Sequence, residues 1–118
     1  MNKLTITGNL TGDPELRTTT TGKEVCSFTV AVNRPKKNGE DQGADFFKVS
    51  AWGERGKNCN QYLSKGKKVA VIGPVSVHAF TNSKGEPAAS MEVFAEEVEF
   101  LSPKGNVVHD PDDPFAGR

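Results

Sequence analysis

Residues 25–33 read VCSFTVAVN, and their alternation is the clearest local signal in the chain. Cys26, Phe28, Val30 and Val32 fall at every second position, with Ser27, Thr29 and Ala31 between them. Successive side chains of an extended chain point to opposite faces, so this pattern predicts a half-buried strand. The same period recurs upstream. In residues 3–10, KLTITGNL, Leu4, Ile6 and Leu10 keep even spacing, and Gly8 stands where a bend or a close approach is expected. Residues 11–24, TGDPELRTTTTGKE, contain Asp13-Pro14 and Gly22 and read as a connection with a hairpin turn near Gly22-Lys23.

Downstream, a long polar loop leads into residues 45–53, DFFKVSAWG. Here Phe47, Val49 and Ala51 form a core face, while Phe46, Lys48, Ser50 and Trp52 share the other. Large rings mixed with a cation and a hydroxyl suit neither a buried face nor an ordinary solvated one. Either something flat and anionic lies there, or one ring covers a neighbouring edge of the core. Between Arg55 and Lys65 the period changes: Cys59, Tyr62 and Leu63 have helical spacing, and Gly66 sits where a helix stop is expected. Residues 67–80, KKVAVIGPVSVHAF, return to alternation. Val75, Val77 and Ala79 read as one face and Ser76, His78 and Phe80 as the other, with a break or bulge at Gly73-Pro74. TNSKGE (81–86) is a turn. In the last strand Met91, Val93 and Ala95 keep one phase and Val98 and Phe100 the other, so a bulge near Glu96-Glu97 is required.

Three strands, one helix and two more strands give an all-β chain. Five short antiparallel strands with one short helix between strands 3 and 4 is the connectivity of an OB-fold barrel, with an open sandwich as the alternative. Residues 1–103 form this domain. Residues 104–118 lose periodicity and read as a flexible acidic C-terminal tail. At 118 residues, 35% of them apolar, the chain suffices for one domain with an economical core. No apolar run approaches a membrane span or a secretory signal, so a cytoplasmic protein is expected. Cys26 and Cys59 belong to no metal or disulfide spacing and read as small buried hydrophobes.

The zero net charge conceals an asymmetry. Residues 1–91 hold 13 Lys and Arg against 8 Asp and Glu, a net of +5, and residues 92–118 hold 2 against 7, a net of −5. A polyanion-binding body with an acidic end fits this, as do two merely solvated surfaces. In the barrel Phe46, Trp52 and Phe80 project from polar faces. Lys48 lies between two rings, Arg34, Lys36 and Lys37 in the long loop, and Lys84 at the hairpin turn. Bases of a single strand stack on rings while Lys and Arg follow phosphates, so this arrangement points to single-stranded nucleic acid bound with little regard to sequence. A core-edge role for the rings is the alternative.

The residues also carry a resemblance. GNLTGDPELRTTTTGKEVCSFTVAVNR (8–34) and DFFKVSAWGERGKNCNQYLSKGKKVAVIG (45–73) resemble the bacterial and phage single-stranded DNA-binding proteins, over nearly all of residues 1–103. The resemblance implies that Phe46, Trp52 and Phe80 stack on bases and that Lys48 contacts the DNA backbone. It also implies a homotetramer acting in DNA replication, recombination and repair. At Arg34-Pro35 many members carry a further aromatic, so a cationic contact from Arg34 is expected there instead. Members usually end on an acidic tip closing with Asp-Ile-Pro-Phe that docks on replication and repair proteins. Here Asp110, Asp112, Asp113, Pro114 and Phe115 are followed by Ala116, Gly117 and Arg118, which leaves a partner hook or a solvating tail.

No phosphate-loop, nucleophile-elbow or zinc-protease motif is present, and His78 and His109 have no neighbours at metal or triad spacing. His78 reads as a weak base or phosphate contact, or as an exposed histidine without a role. The glutamates at 92, 96, 97 and 99 read as the outward face of a bulged strand. A binding protein is therefore expected, with no catalytic residue, metal or other cofactor and no membrane partner. The alternative function is an OB-fold RNA-binding or primosome-type accessory protein, and a further alternative is a structural subunit whose rings a partner protein covers.

Overall fold

The alternation of residues 25–33 becomes burial in the computed structural model, which describes residues 1–102. Along β3 (Glu24–Asn33) Cys26, Phe28 and Val30 are buried, while Ser27 and Thr29 are half-exposed on the opposite face. The other elements are β1 (Leu4–Leu10), β2 (Glu15–Thr18), β4 (Ala44–Trp52), α1 (Gly53–Tyr62), β5 (Lys68–Gly73), β6 (Val75–Thr81), β7 (Pro87–Phe94) and β8 (Glu97–Phe100). Only Pro74 separates β5 from β6, and only Ala95 and Glu96 separate β7 from β8. These are the two expected breaks, and each pair is one run of chain bent across the barrel.

Hydrogen-bonded neighbours follow the order β6-β7-β4-β3-β1-β5-β8. Because β5 continues into β6 and β7 into β8, this order returns on itself and the sheet closes as an OB-fold barrel. The seam passes through both bends. The amide of Phe94 donates to the Pro74 carbonyl at 2.9 Å, that of Ala95 to Ser50 at 2.9 Å, and that of Glu96 to Ile72 at 2.8 Å.

Two expectations about the strands are corrected. Residues 15–18 are not a plain connection but a strand, paired with β3 from Glu15↔Ser27 to Thr18↔Glu24. The hairpin turn lies where it was expected, with the Thr19 amide donating to the Lys23 carbonyl at 2.7 Å. Nor is every pairing antiparallel: β4 and β7 run parallel, with Lys48 opposite Glu92 and Ser50 opposite Phe94. The helix and the β5–β6 run carry the chain across the barrel first, so that β7 returns beside β4 in the same sense.

Inside lie Ile6, Leu10, Cys26, Phe28, Val30, Val49, Ala51, Cys59, Leu63, Val69, Val71, Val93 and Ala95. Burying each valine, leucine, isoleucine or phenylalanine among them contributes about 1.5–3 kcal/mol. A low apolar content suffices because a small closed barrel has one inner face to fill. Gly8 marks a close approach and not a bend, since a Cβ there would overlap the Ala31 carbonyl. Helix α1 turns Gly56 and Cys59 inward. Tyr62 is not on that buried side. It is 38% exposed, with its ring 5.9 Å from that of Phe100, and the helix ends there, three residues before the last residue preceding Gly66. Leu63 continues in extended backbone and is buried.

Val77 and Ala79 are likewise not core: Val77 is 62% exposed. The β6–β7 ladder runs from Val75↔Val93 out to Thr81↔Pro87, beyond the reach of the other strands, and this outer arm has solvent on both faces. Both cysteines are fully buried free thiols. Burial pushes Cys26 up to about 11 and Cys59, through burial first and the neighbouring Cys26 second, to about 12. Each favours the folded state fully below the ordinary thiol range and loses that contribution as pH rises through these values.

Candidate nucleic-acid interface

Register places the polar faces of β2, β3, β4, β7 and β6 side by side, in rows that cross the strands. One row is Arg17, Val25 and Trp52. The next is Glu15, Ser27, Ser50 and Phe94, and the next Thr29, Lys48, Glu92 and Ser76. Ala31 and Phe46 follow, with His78 opposite Ser90 and Phe80 opposite Ala88 on the hairpin arm. Trp52 lies six positions beyond Phe46 along β4, a span of about 20 Å in extended chain. Trp52 therefore stands at one end of the face and Phe46 and Phe80 at the other, with Lys48 between them.

The three rings lie outside the core, as read from the period: Phe46 is 59% exposed, Phe80 49% and Trp52 44%. Trp52 is also the residue preceding α1, where the side-chain oxygen of a serine, threonine, aspartate or asparagine would accept from a first-turn amide, and it makes no side-chain capping bond. Helix stability does not explain its presence. On one side of it runs an open groove of about 690 Å³, lined among others by Arg17, Thr29, Lys48, Ser50 and Glu92. On the other lies a smaller one of about 430 Å³ with Lys23 and Lys57.

The cations divide into free and paired. Lys48 is exposed and, despite its register with Glu92, forms no ion pair among the described residues. Arg34 is held instead by Asp45, whose Oδ1 accepts from Nε at 2.9 Å and from a terminal guanidinium nitrogen at 2.6 Å. This hydrogen bond draws the Asp45 carboxyl below the usual carboxylate range and raises Arg34. The pair favours the folded loop above the ordinary carboxylate range and is lost as pH falls through the lowered value. Arg34 closes the base of the long loop and is not a ready phosphate ligand. Lys36 and Lys37 are exposed on that loop, at the Phe46 end, where Lys37 and Glu40 exchange backbone hydrogen bonds. The loop also carries Glu40 and Asp41, so that with Asp45 just inside β4 its three cations are matched by three carboxylates. Lys84 lies at the tip of the β6–β7 hairpin, in a turn whose Lys84 and Glu86 amides both donate to Asn82 Oδ1.

Sequence reasoning missed Arg17, because its segment was not read as a strand; the alternation of Glu15 and Arg17 with Leu16 and Thr18 was the available signal. It also set Glu92 aside as an ordinary outward glutamate. Ser50, 6% exposed, donates its hydroxyl to Glu92 Oε2 at 2.5 Å, which places a restrained carboxylate in the middle row. His78 is exposed, with Nε2 3.4 Å from the Ser76 hydroxyl. Asp110, Asp112, Asp113, Pro114 and Phe115 lie outside the described residues. Among those described, no group of His, Cys, Asp and Glu is arranged to hold a metal, and no helix is long and apolar enough to cross a membrane.

Comparison with known proteins gives the same direction. A model described as the single-strand binding protein family matches residues 1–101. A single-stranded DNA-binding protein of Halalkalibacterium halodurans is 39% identical over 107 residues, covering 90% of this chain and 64% of the relative. Single-stranded DNA-binding protein 1 of Staphylococcus aureus is 39% identical over 107 residues, 90% of this chain and 69% of its own. Single-stranded DNA-binding protein 3 of Listeria innocua is 41% identical over 107 residues, 90% and 67% respectively. The chain thus spans 64–69% of the length of these curated relatives.

Proposed function

The chain belongs to the single-strand binding protein family, and from that premise we propose that it binds single-stranded DNA with little regard to sequence. It coats strands exposed in replication, recombination and repair, as a binding protein and not an enzyme, in the cytoplasm at the nucleoid. The observation that carries this reading is the register: Phe46, Lys48 and Trp52 share one open face of β4, ring, cation, ring. Stacking on rings tolerates any base, while a duplex hides the faces that rings need. Phe46, Trp52 and Phe80 are the stacking platforms. Lys48 is the central phosphate ligand, with Lys36, Lys37 and Lys84 at one end and Arg17 joining them at the other. Arg34 takes part only after exchanging Asp45 for a phosphate.

Quenching of Trp52, the chain's single tryptophan, reports the test: titration with oligo-dT, oligo-rU and duplex DNA. Strong quenching by oligo-dT alone is expected. Equal quenching by oligo-rU would move the assignment to RNA, and no response to any of them would leave the rings to a partner protein. Binding should weaken with salt, and Lys48→Ala should flatten the log–log dependence by about 0.7, the loss of one neutralised phosphate on a single strand. An unchanged slope would remove Lys48 from the DNA path.

We further propose a homotetramer built on domain 1–103. Of the first-strand and core-edge residues Leu4, Ile6 and Tyr62, which could pair with a second copy, Ile6 is buried in the core and Leu4 packs against it, while Tyr62 is exposed. Exposed Phe100 and Leu101, with the Tyr62 ring 5.9 Å from that of Phe100, are the apolar surface that supports assembly. Light scattering that shows a monomer at micromolar concentration would refute this. In the 104–118 tail, residues 110–115 are proposed to compete with DNA and to dock replication and repair proteins. Deleting 110–118 should tighten oligo-dT binding at low salt, with the gain fading as salt screens the charges. No gain at any salt would remove the competitor role.

A further inference from the structure

A carboxylate at the centre of a face that takes a polyanion needs a physical reason. Glu92 stands in register between Lys48 on β4 and Ser76 on β6, and lines the larger groove. Strand spacing puts it about 5 Å of backbone separation from Lys48. Even so, its described hydrogen bond is to the buried Ser50 hydroxyl and not to that ammonium. The Ser50 bond fixes one oxygen, Oε2, and leaves Oε1 without a partner among the described residues. A phosphate at this point would be repelled by a fixed negative charge. A base edge carrying an N–H donor would not.

We propose that Glu92 is a base-reading residue: its free oxygen accepts a hydrogen bond from the exocyclic amino group of a base stacked on the neighbouring rings. Cytosine, adenine and guanine carry such a group and thymine does not. The proposal rests on the single-stranded DNA reading and deepens it. Stacking on Phe46 and Trp52 is indifferent to the base, and Glu92 adds a graded preference for amino-bearing bases in the middle of the site. Lys48, free of Glu92, remains available to the phosphate alongside. The charge pattern of the row then follows the nucleotide, with the cation beside the backbone and the anion beside the base edge.

The test compares oligo-dC with oligo-dT of equal length, at fixed salt and a slightly alkaline pH that keeps cytosine unprotonated. Affinities are read for the full chain, for Glu92→Gln and for Glu92→Asp, with melting transitions recorded in parallel. Glu92→Gln retains the Ser50 partner but can turn an amide N–H toward the base, and Glu92→Asp keeps the charge but withdraws it. In both variants the ratio of oligo-dC to oligo-dT affinity should fall, by about tenfold or more for one lost hydrogen bond to a charged acceptor. If Glu92→Gln tightens both oligonucleotides equally, the glutamate only repels phosphate and the proposal is overturned. An unchanged ratio in a folded Glu92→Asp overturns it as well. Failure of the unaltered chain to bind either oligonucleotide instead overturns the single-strand reading itself, and is recognised because no ratio exists to compare.

Discussion

Gly73→Ala should prevent the barrel from closing. A Cβ on Gly73 would overlap the Phe94 carbonyl oxygen and lie 2.9 Å from its carbon and 3.1 Å from the Glu96 nitrogen. All of these are backbone atoms on both sides of the bend between β7 and β8, so no side-chain rotation can relieve the overlap. Moving the strand away would lengthen the bonds from Phe94 to Pro74 and from Glu96 to Ile72, which join the two bent runs of the barrel. Overpacking of a core ordinarily costs about 1–3 kcal/mol, and a clash against rigid backbone at a seam belongs at or above the upper end of that range. Denaturant unfolding should therefore show a loss of roughly 3 kcal/mol or more, a large share of the stability of a domain this size. A loss below about 1 kcal/mol would mean that the bend yields easily and that closure is not set at Gly73.

This bend was legible in the sequence as Gly73-Pro74, and the reasons extend to most of the barrel. Strands β1, β3 and β4 each bury one face, and burial writes its period into the residues. β2 escaped because it covers nothing: all four of its residues are exposed and only the ladder to β3 makes it a strand. The parallel pairing of β4 with β7 joins residues 44 positions apart, Lys48 and Glu92, and no local pattern encodes such a partner. The same division holds at the interface. Rings on a polar face contradict the rule that large apolar side chains go inward, so Phe46 and Trp52 announced themselves. An outward glutamate or arginine contradicts nothing, and only register shows that Glu92 and Arg17 face the groove while Glu97 and Glu99 face away, opposite Ile72 and Ala70 on β5. The Arg34 ion pair was hidden for a related reason: its partner Asp45 stands across the neck of a loop whose closing only the fold reveals.

Trp52→Ala should produce the largest loss of DNA affinity of any single substitution among the interface residues. The indole has the greatest stacking area of the three rings and sits at the junction of the two grooves, where a base laid on it can meet Arg17 on one side and Lys23 on the other. Stacking on one aromatic is worth about 1–3 kcal/mol, and the loss should lie in the upper half of that range. Since the substitution removes the fluorescent reporter, anisotropy of a labelled oligo-dT supplies the measurement. Trp52→Phe should restore most of the affinity, because a phenyl face still stacks, and Phe46→Ala and Phe80→Ala should each cost less than Trp52→Ala. Stability supplies the control. Trp52 stands beside Val25, which is only 6% exposed, so its removal uncovers one valine and should lower the melting transition slightly, without the cooperative loss expected of Gly73→Ala. A Trp52→Ala chain that melts far below the original yet binds oligo-dT unchanged would show the ring to be a lid on the core. In that case the residue preceding the helix serves the fold, and the stacking surface must be sought at Phe46 and Phe80 alone.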